Sequence, residues 1–131
     1  MENPAKGTFE VTLTPQPADG TALARMVIDK RFHGDLEAVS QGQMLSAMGT
    51  VQGSAGYVAM EVVRGTLHGR QGSFVLQHTG TMNRGAPELG VTVVPDSGTD
   101  DLTGLTGRMR IIIEGGRHSY EFEYGLREAG E

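Results

Sequence analysis

What constrains this chain most is a two-residue alternation of apolar and polar side chains, repeated in short runs along nearly its whole length. The cleanest run is His118 to Arg127, where Tyr120, Phe122 and Tyr124 alternate with Glu121 and Glu123. Successive side chains of a β-strand point to opposite faces, so this run makes a strand with one greasy face and one wet face. Further runs lie at about 7–15, carrying Phe9, Val11 and Leu13 on one face, and about 22–33, carrying Met26, Ile28 and Phe32. Then come about 36–48, with Leu36, Ala38, Ser40, Gly42 and Met44 on one parity, and 56–67, 72–82 and 89–95. The last is 107–115, with Met109, Ile111 and Ile113.

Twenty glycines and five prolines in 131 residues punctuate these runs, at Pro15–Gly20, Gly34-Asp35, Gly53-Ser54, Arg84–Pro87 and Gly115-Gly116. Eight strands and no helical pattern predict an all-β chain, one domain over 1–131, folded as an antiparallel up-and-down barrel or a sandwich. The barrel is preferred because closure leaves no exposed sheet edge. Eight strands also enclose room for side chains or one small ligand.

Composition narrows the chemistry. Eleven Lys and Arg stand against 16 Asp and Glu, with no Trp and no basic stripe, which argues against nucleic acid. No window approaches the roughly 18 to 20 apolar residues of a membrane span, and the polar start Met1–Lys6 is unlike a signal peptide, so a cytoplasmic protein is expected. Cysteine is absent, which removes disulfides, thiol nucleophiles and thiolate metal sites. His33, His68, His78 and His118 show no metal-binding spacing, no Gly-x-Ser-x-Gly elbow occurs, and 96–101 reads as a turn although it has calcium-loop flavour. No cofactor is expected.

The hairpin between the fourth and fifth strands carries the main functional expectation. Its tightest pairing puts Gly69-Arg70 at the turn and His68 opposite Gln71. Tyr57 then faces Met82, Ala59 faces Gly80, Glu61 faces His78, Val63 faces Leu76 and Gly65 faces Phe74. That face mixes large and small residues, as a tapered lumen requires. Opposed side chains sit ~4.5–5.5 Å apart at Cβ, so the Glu61 carboxylate and the His78 imidazole can touch. Such a pair either pins the wall or exchanges a proton near neutral pH. A loop of three or five residues would break the pairing.

Lys30 shares the inward parity of its strand. It can hold a ligand's carboxylate or enolate, act as an amine nucleophile, or carry its charge to the barrel mouth on a long stem. Catalytic candidates are therefore Glu61, His78 and Lys30, and ligand-binding candidates Tyr57, Phe74, Tyr120, Tyr124, Ser40 and Met82, with Ser40 also readable as a small filler. His68 and Arg70 fall at a hairpin tip and read as solvated. Val58, Met60, Val62 and Val75 take the outward parity, which points to a partner surface and a symmetric homo-oligomer.

The strings HGDLEAVSQGQMLSA, GSAGYVAMEVVRGTLHGRQGSFVLQHTGTMNRG, VVPDSGT and HSYEFEYGL closely resemble the bacterial DUF3224 family over nearly the whole chain. That resemblance implies an allene oxide cyclase-like barrel of eight antiparallel strands that often self-associates. Residues 97–107 resemble the glycine-spaced stretch before the penultimate strand of plant allene oxide cyclases and dirigent proteins, with Asp100 where a glycine is usual. The plant cyclase's catalytic residues do not match this chain one by one, so none is carried over.

Two functions are consistent with this reading. One is a cofactor-free cyclase, isomerase or lyase acting on a small, largely apolar oxygenated compound. The other is a non-catalytic barrel that holds an apolar molecule or serves as a scaffold. A cavity below ~300 Å³ would favour the second.

Overall fold

A computed structural model describes residues 4–127; Met1–Asn3 and 128–131, part of the domain read over 1–131, lie outside the described residues. The strands are β1 (Ala5–Pro15), β2 (Ala24–Gly34), β3 (Leu36–Met48), β4 (Ala55–Leu67), β5 (Arg70–Asn83), β6 (Ala86–Val93), β7 (Leu105–Glu114) and β8 (Arg117–Leu126). A 3₁₀ turn, Asp100–Leu102, interrupts the pattern. Each strand pairs antiparallel with the next and β8 returns to β1, closing the barrel. No helix among the described residues is long and apolar enough to cross a membrane.

Three links are two-residue hairpin turns: His68-Gly69 (φ 47° and 80°), Arg84-Gly85 (50° and 89°) and Gly115-Gly116 (56° and 78°). Positive φ at both positions is the type I′ pattern, whose twist suits the flanking strands and favours glycine at the second place. The first turn therefore sits one residue earlier than the expected Gly69-Arg70. Leu67 pairs with Arg70, so Tyr57 faces Gly80, Ala59 faces His78 and Glu61 faces Leu76. The expected pairs Tyr57–Met82 and Glu61–His78 are each displaced by two residues. An even slip preserves the face, so all of these side chains keep their inward parity. Similarly, the break expected at Arg84–Pro87 is confined to Arg84-Gly85, and Ala86 and Pro87 already belong to β6.

The lumen divides into two halves. Around the β2–β3 and β4–β5 turns it is packed solid by Leu36, Leu67, Phe74, Tyr120, Phe122 and Tyr124, sealed by Leu102 of the 3₁₀ turn and by Leu105. Phe74 and Tyr124 each stack on Phe122, at centroid distances of 5.8 and 5.4 Å. The opposite half is hollow. Its walls are unevenly joined among the described residues: β6 meets β7 through one pair, Thr92 with Arg108, and β1 meets β8 through four, Ala5–Thr8 with Ser119–Phe122.

Outside, Val58, Met60 and Val62 are exposed as expected, together with Val39 and Leu45 of β3. Val75 is half-buried, because the chain at 94–99 lies across β5 and bonds its backbone through Ser97 and Val94.

Candidate active site

Three inward rows of the sheet assemble the site. On β2 and β3, Lys30 is opposite Ser40; on β3 and β4, Gly42 is opposite Glu61; on β4 and β5, Ala59 is opposite His78. Glu61 and His78 are thus diagonal neighbours, a separation long side chains still bridge. Gly42 is needed here, because a Cβ on it would stand 2.8 Å from the Glu61 Cβ. Lacking a side chain at that point, β3 also leaves the route open for Lys30 to reach from β2 to β4. The expectation that its stem carries the amine to the barrel mouth is not met.

Glu61 is the hub. Its side chain has 0% exposure, Lys30's 5% and His78's 9%. Oε1 accepts from Lys30 Nζ at 2.9 Å and lies 2.6 Å from His78 Nε2, while Oε2 accepts from Ser40 Oγ at 2.5 Å. Burial is the largest influence on the carboxyl and pushes its pKa up, but chiefly the His78 bond, the Lys30 charge and the Ser40 bond hold it at about 2. Glu61 is therefore an anion at neutral pH. An ionised carboxylate only accepts, so His78 must carry a hydrogen on Nε2. Ser40, readable as a filler, donates its hydroxyl hydrogen to Glu61.

His78, Lys30 and Tyr57 line a cavity of about 530 Å³, whose walls are otherwise mainly apolar: Phe9, Val11, Ile28, Met44, Leu89 and Ile111 among them. This exceeds the ~300 Å³ lower bound of usual ligand pockets. His78 Nδ1 makes no hydrogen bond to the protein, and among the described residues no buried side-chain N or O lacks a partner, so Nδ1 opens into the cavity. The Tyr57 ring lies across Gly80, where a Cβ would come within 2.2 Å of it. Burial and then the Glu61 charge raise the Tyr57 hydroxyl's pKa, keeping it a neutral donor.

Met82 stands at the exposed rim of the same cavity. Phe74, Tyr120 and Tyr124 do not line it; they fill the packed half, because the alternation that turned them inward carries no information about which end they occupy. The Tyr120 hydroxyl accepts from Leu36 N–H at 2.9 Å and lies 2.9 Å from the His33 carbonyl, so it fastens the β2–β3 corner; burial, the largest cause, pushes its pKa up to about 12. Tyr124 meets His68 Nδ1 at 2.5 Å, which ties down a ring that the sequence reads as solvated. His118, at the start of β8, lines the rim and packs on Phe9 at 5.2 Å; its inward parity beside Tyr120 was the available signal. A larger hollow of about 900 Å³ runs outside β1 to β4 among mixed charges and lacks a comparable converging cluster.

No group of three or more metal-ligating side chains occurs among the described residues. The family model described as protein of unknown function (DUF3224) matches residues 5–124. The chain belongs to the DUF3224 family. A crystal structure of a DUF3224 protein of unknown function from Shewanella oneidensis MR-1 is similar to it, with 55% identity, a TM-score of 0.92, and coverage of 96% of this chain and 98% of that one. No curated protein matches the chain. For this DUF3224 barrel, function must be argued from the cavity.

Proposed function

We propose that the barrel is a cofactor-independent enzyme of cyclase, isomerase or lyase type that moves a proton on a small, largely apolar oxygenated compound. The observation that carries this reading is His78: one ring nitrogen bonds an ionised carboxylate and the other opens into an apolar cavity. Glu61 acts as a positioning residue that fixes the tautomer and stabilises the imidazolium once His78 has taken a proton, the role a buried carboxylate plays behind a catalytic histidine. The Lys30 ammonium and the Tyr57 hydroxyl supply donors for the oxygen on which negative charge develops. Their common cavity orients the substrate. Membership of the allene oxide cyclase-like superfamily is part of this reading, supported by the closed eight-strand order and the 97–107 segment. So are a cytoplasmic location and self-association through the exposed Val39, Leu45, Val58 and Met60.

Deuterium uptake from D₂O next to the carbonyl of apolar ketones and enones tests the reading. The protein accelerates uptake, and His78→Gln lowers it ~10²–10⁴-fold with the fold intact by circular dichroism. Uptake at the buffer rate across the panel, or undiminished in His78→Gln, overturns it. A second reading, a non-catalytic binding barrel, is favoured by the fact that protein donors occupy both Glu61 oxygens. It expects bound ligand without exchange.

A further inference from the structure

We propose that Lys30 captures an apolar aldehyde as a protonated imine, with Glu61 as its counter-ion. This goes beyond the proton-transfer reading, since it needs the same cavity but no turnover. The chain has two lysines, Lys6 and Lys30, and nine arginines. Lys6 is 63% exposed, whereas Lys30, only 5% exposed, lines the mainly apolar cavity with its amine on Glu61. A buried ion pair is a poor stabiliser when apolar side chains could fill the same wall, so the placing of an amine here calls for a chemical reason.

The hydrogen bonding around Nζ supplies one. An ammonium has three N–H donors, and among the described residues Nζ finds a single acceptor, Glu61 Oε1 at 2.9 Å. The groups beside it are the Phe9 and Phe32 rings, 4.9 and 5.3 Å from Nζ, which favour a cation but accept no ordinary hydrogen bond. That setting serves an ammonium poorly. A protonated imine has one N–H, one positive charge and a carbon substituent. It keeps the Glu61 bond and the aromatic faces, and its chain extends along Val11, Ile28 and Met44 into the hollow. Arginine at this position would hold the charge but could not do this chemistry.

The condensation balances. Nζ gives one proton to Glu61 Oε1, its hydrogen-bond partner, and attacks the aldehyde carbon, forming a C–N bond while the carbonyl π-bond opens. A second Nζ proton moves to the resulting oxygen, Glu61 returns its proton to that hydroxyl, and water leaves as the C=N bond forms. Aldehyde and ammonium thus become protonated imine and water. The net charge is unchanged, so Glu61 faces one cation before and after.

The experiment treats the full chain with decanal and sodium cyanoborohydride, then reads intact mass and maps the modified peptides. We expect a reduced adduct on Lys30 forming at least about ten-fold faster than on exposed Lys6, as an amine held in contact with bound aldehyde should. Decanol suppresses it, Lys30→Arg abolishes it while leaving Lys6 reactive, and water-soluble glycolaldehyde favours Lys6. Labelling confined to Lys6 and the chain's amino terminus, or insensitive to decanol, overturns the proposal; the wild-type protein alone decides this, whatever the folding of the variant. An adduct without deuterium uptake sinks only the proton-transfer reading, and uptake without an adduct sinks only this one.

Discussion

At the level of single residues, the cavity depends on keeping a carboxylate charged with no exposed surface. Lys30, His78 and Ser40 together achieve this against burial, leaving Glu61 at about 2, below the ordinary 4.5. A carboxyl whose folded pKa lies below its unfolded one adds stability above the unfolded value and loses it as pH falls through the folded one. The contribution is therefore complete above about pH 4.5 and disappears towards pH 2. Glu61→Gln leaves Lys30 buried without its anion, so at neutral pH it should cost roughly 3–5 kcal/mol. Urea unfolding of both proteins across this range should show the gap between them shrinking as pH falls, by a few kcal/mol; a constant gap would mean that Glu61 is not held ionised. The inward parity of Lys30, Ser40, Glu61 and His78 was legible in the sequence, because period two assigns a face. Their convergence on one carboxylate was not, since it depends on Gly42 leaving β3 bare between Lys30 and Glu61.

At the level of elements, the alternation located all eight strands to within a few residues, and the turns set their register. The hairpin between β4 and β5 shows how finely: both Gly69-Arg70 and His68-Gly69 make a two-residue loop, and only the second puts glycine at the second φ-positive place. The first gives the right face and the wrong partners. The Arg84-Gly85 turn obeys the same rule, with Arg84 at φ 50°. A non-glycine residue there is strained by about 1–2 kcal/mol, which Asn relieves in part. Arg84→Asn should therefore raise stability by about 0.5–1 kcal/mol, seen as a higher melting temperature; a Tm lowered by the change would show that the arginine side chain contributes more than its backbone costs. Asp100 also has positive φ, 53°, a left-handed conformation that aspartate tolerates better than most residues with a side chain.

For the whole molecule, period two marks the inside of a barrel but not which end of that inside is filled. Phe74, Tyr120 and Tyr124 are inward like Tyr57, yet they share one packed half while Tyr57, Lys30 and His78 share the hollow one. What separates the halves is three-dimensional: the 94–102 segment seals one end with Leu102, and β7 and β8 leave the wall loosely joined at the other. Among the described residues, the β7–β8 hairpin holds itself through ten pairs but grips β6 by one and β1 by four. Backbone groups of 109–113 that turn toward β6 have no ladder partner there, whereas β4 and β5 are laddered on both sides. Local opening follows the least supported contacts, so the hairpin tip, carrying Ile113 and His118 at the cavity rim, is the part of the wall expected to yield first, and under the proposed function it is where an apolar ligand is expected to enter. Native-state hydrogen exchange should show amides of 109–118 opening well below the global unfolding free energy, while inner amides of β4 and β5 exchange only through complete unfolding. Bound decanol should slow exchange at the hairpin tip more than at the β4–β5 turn, because Ile113 and His118 of the tip line the cavity and the packed half has nothing to gain. Equal protection of both hairpins, with and without decanol, would place the entrance elsewhere in the wall.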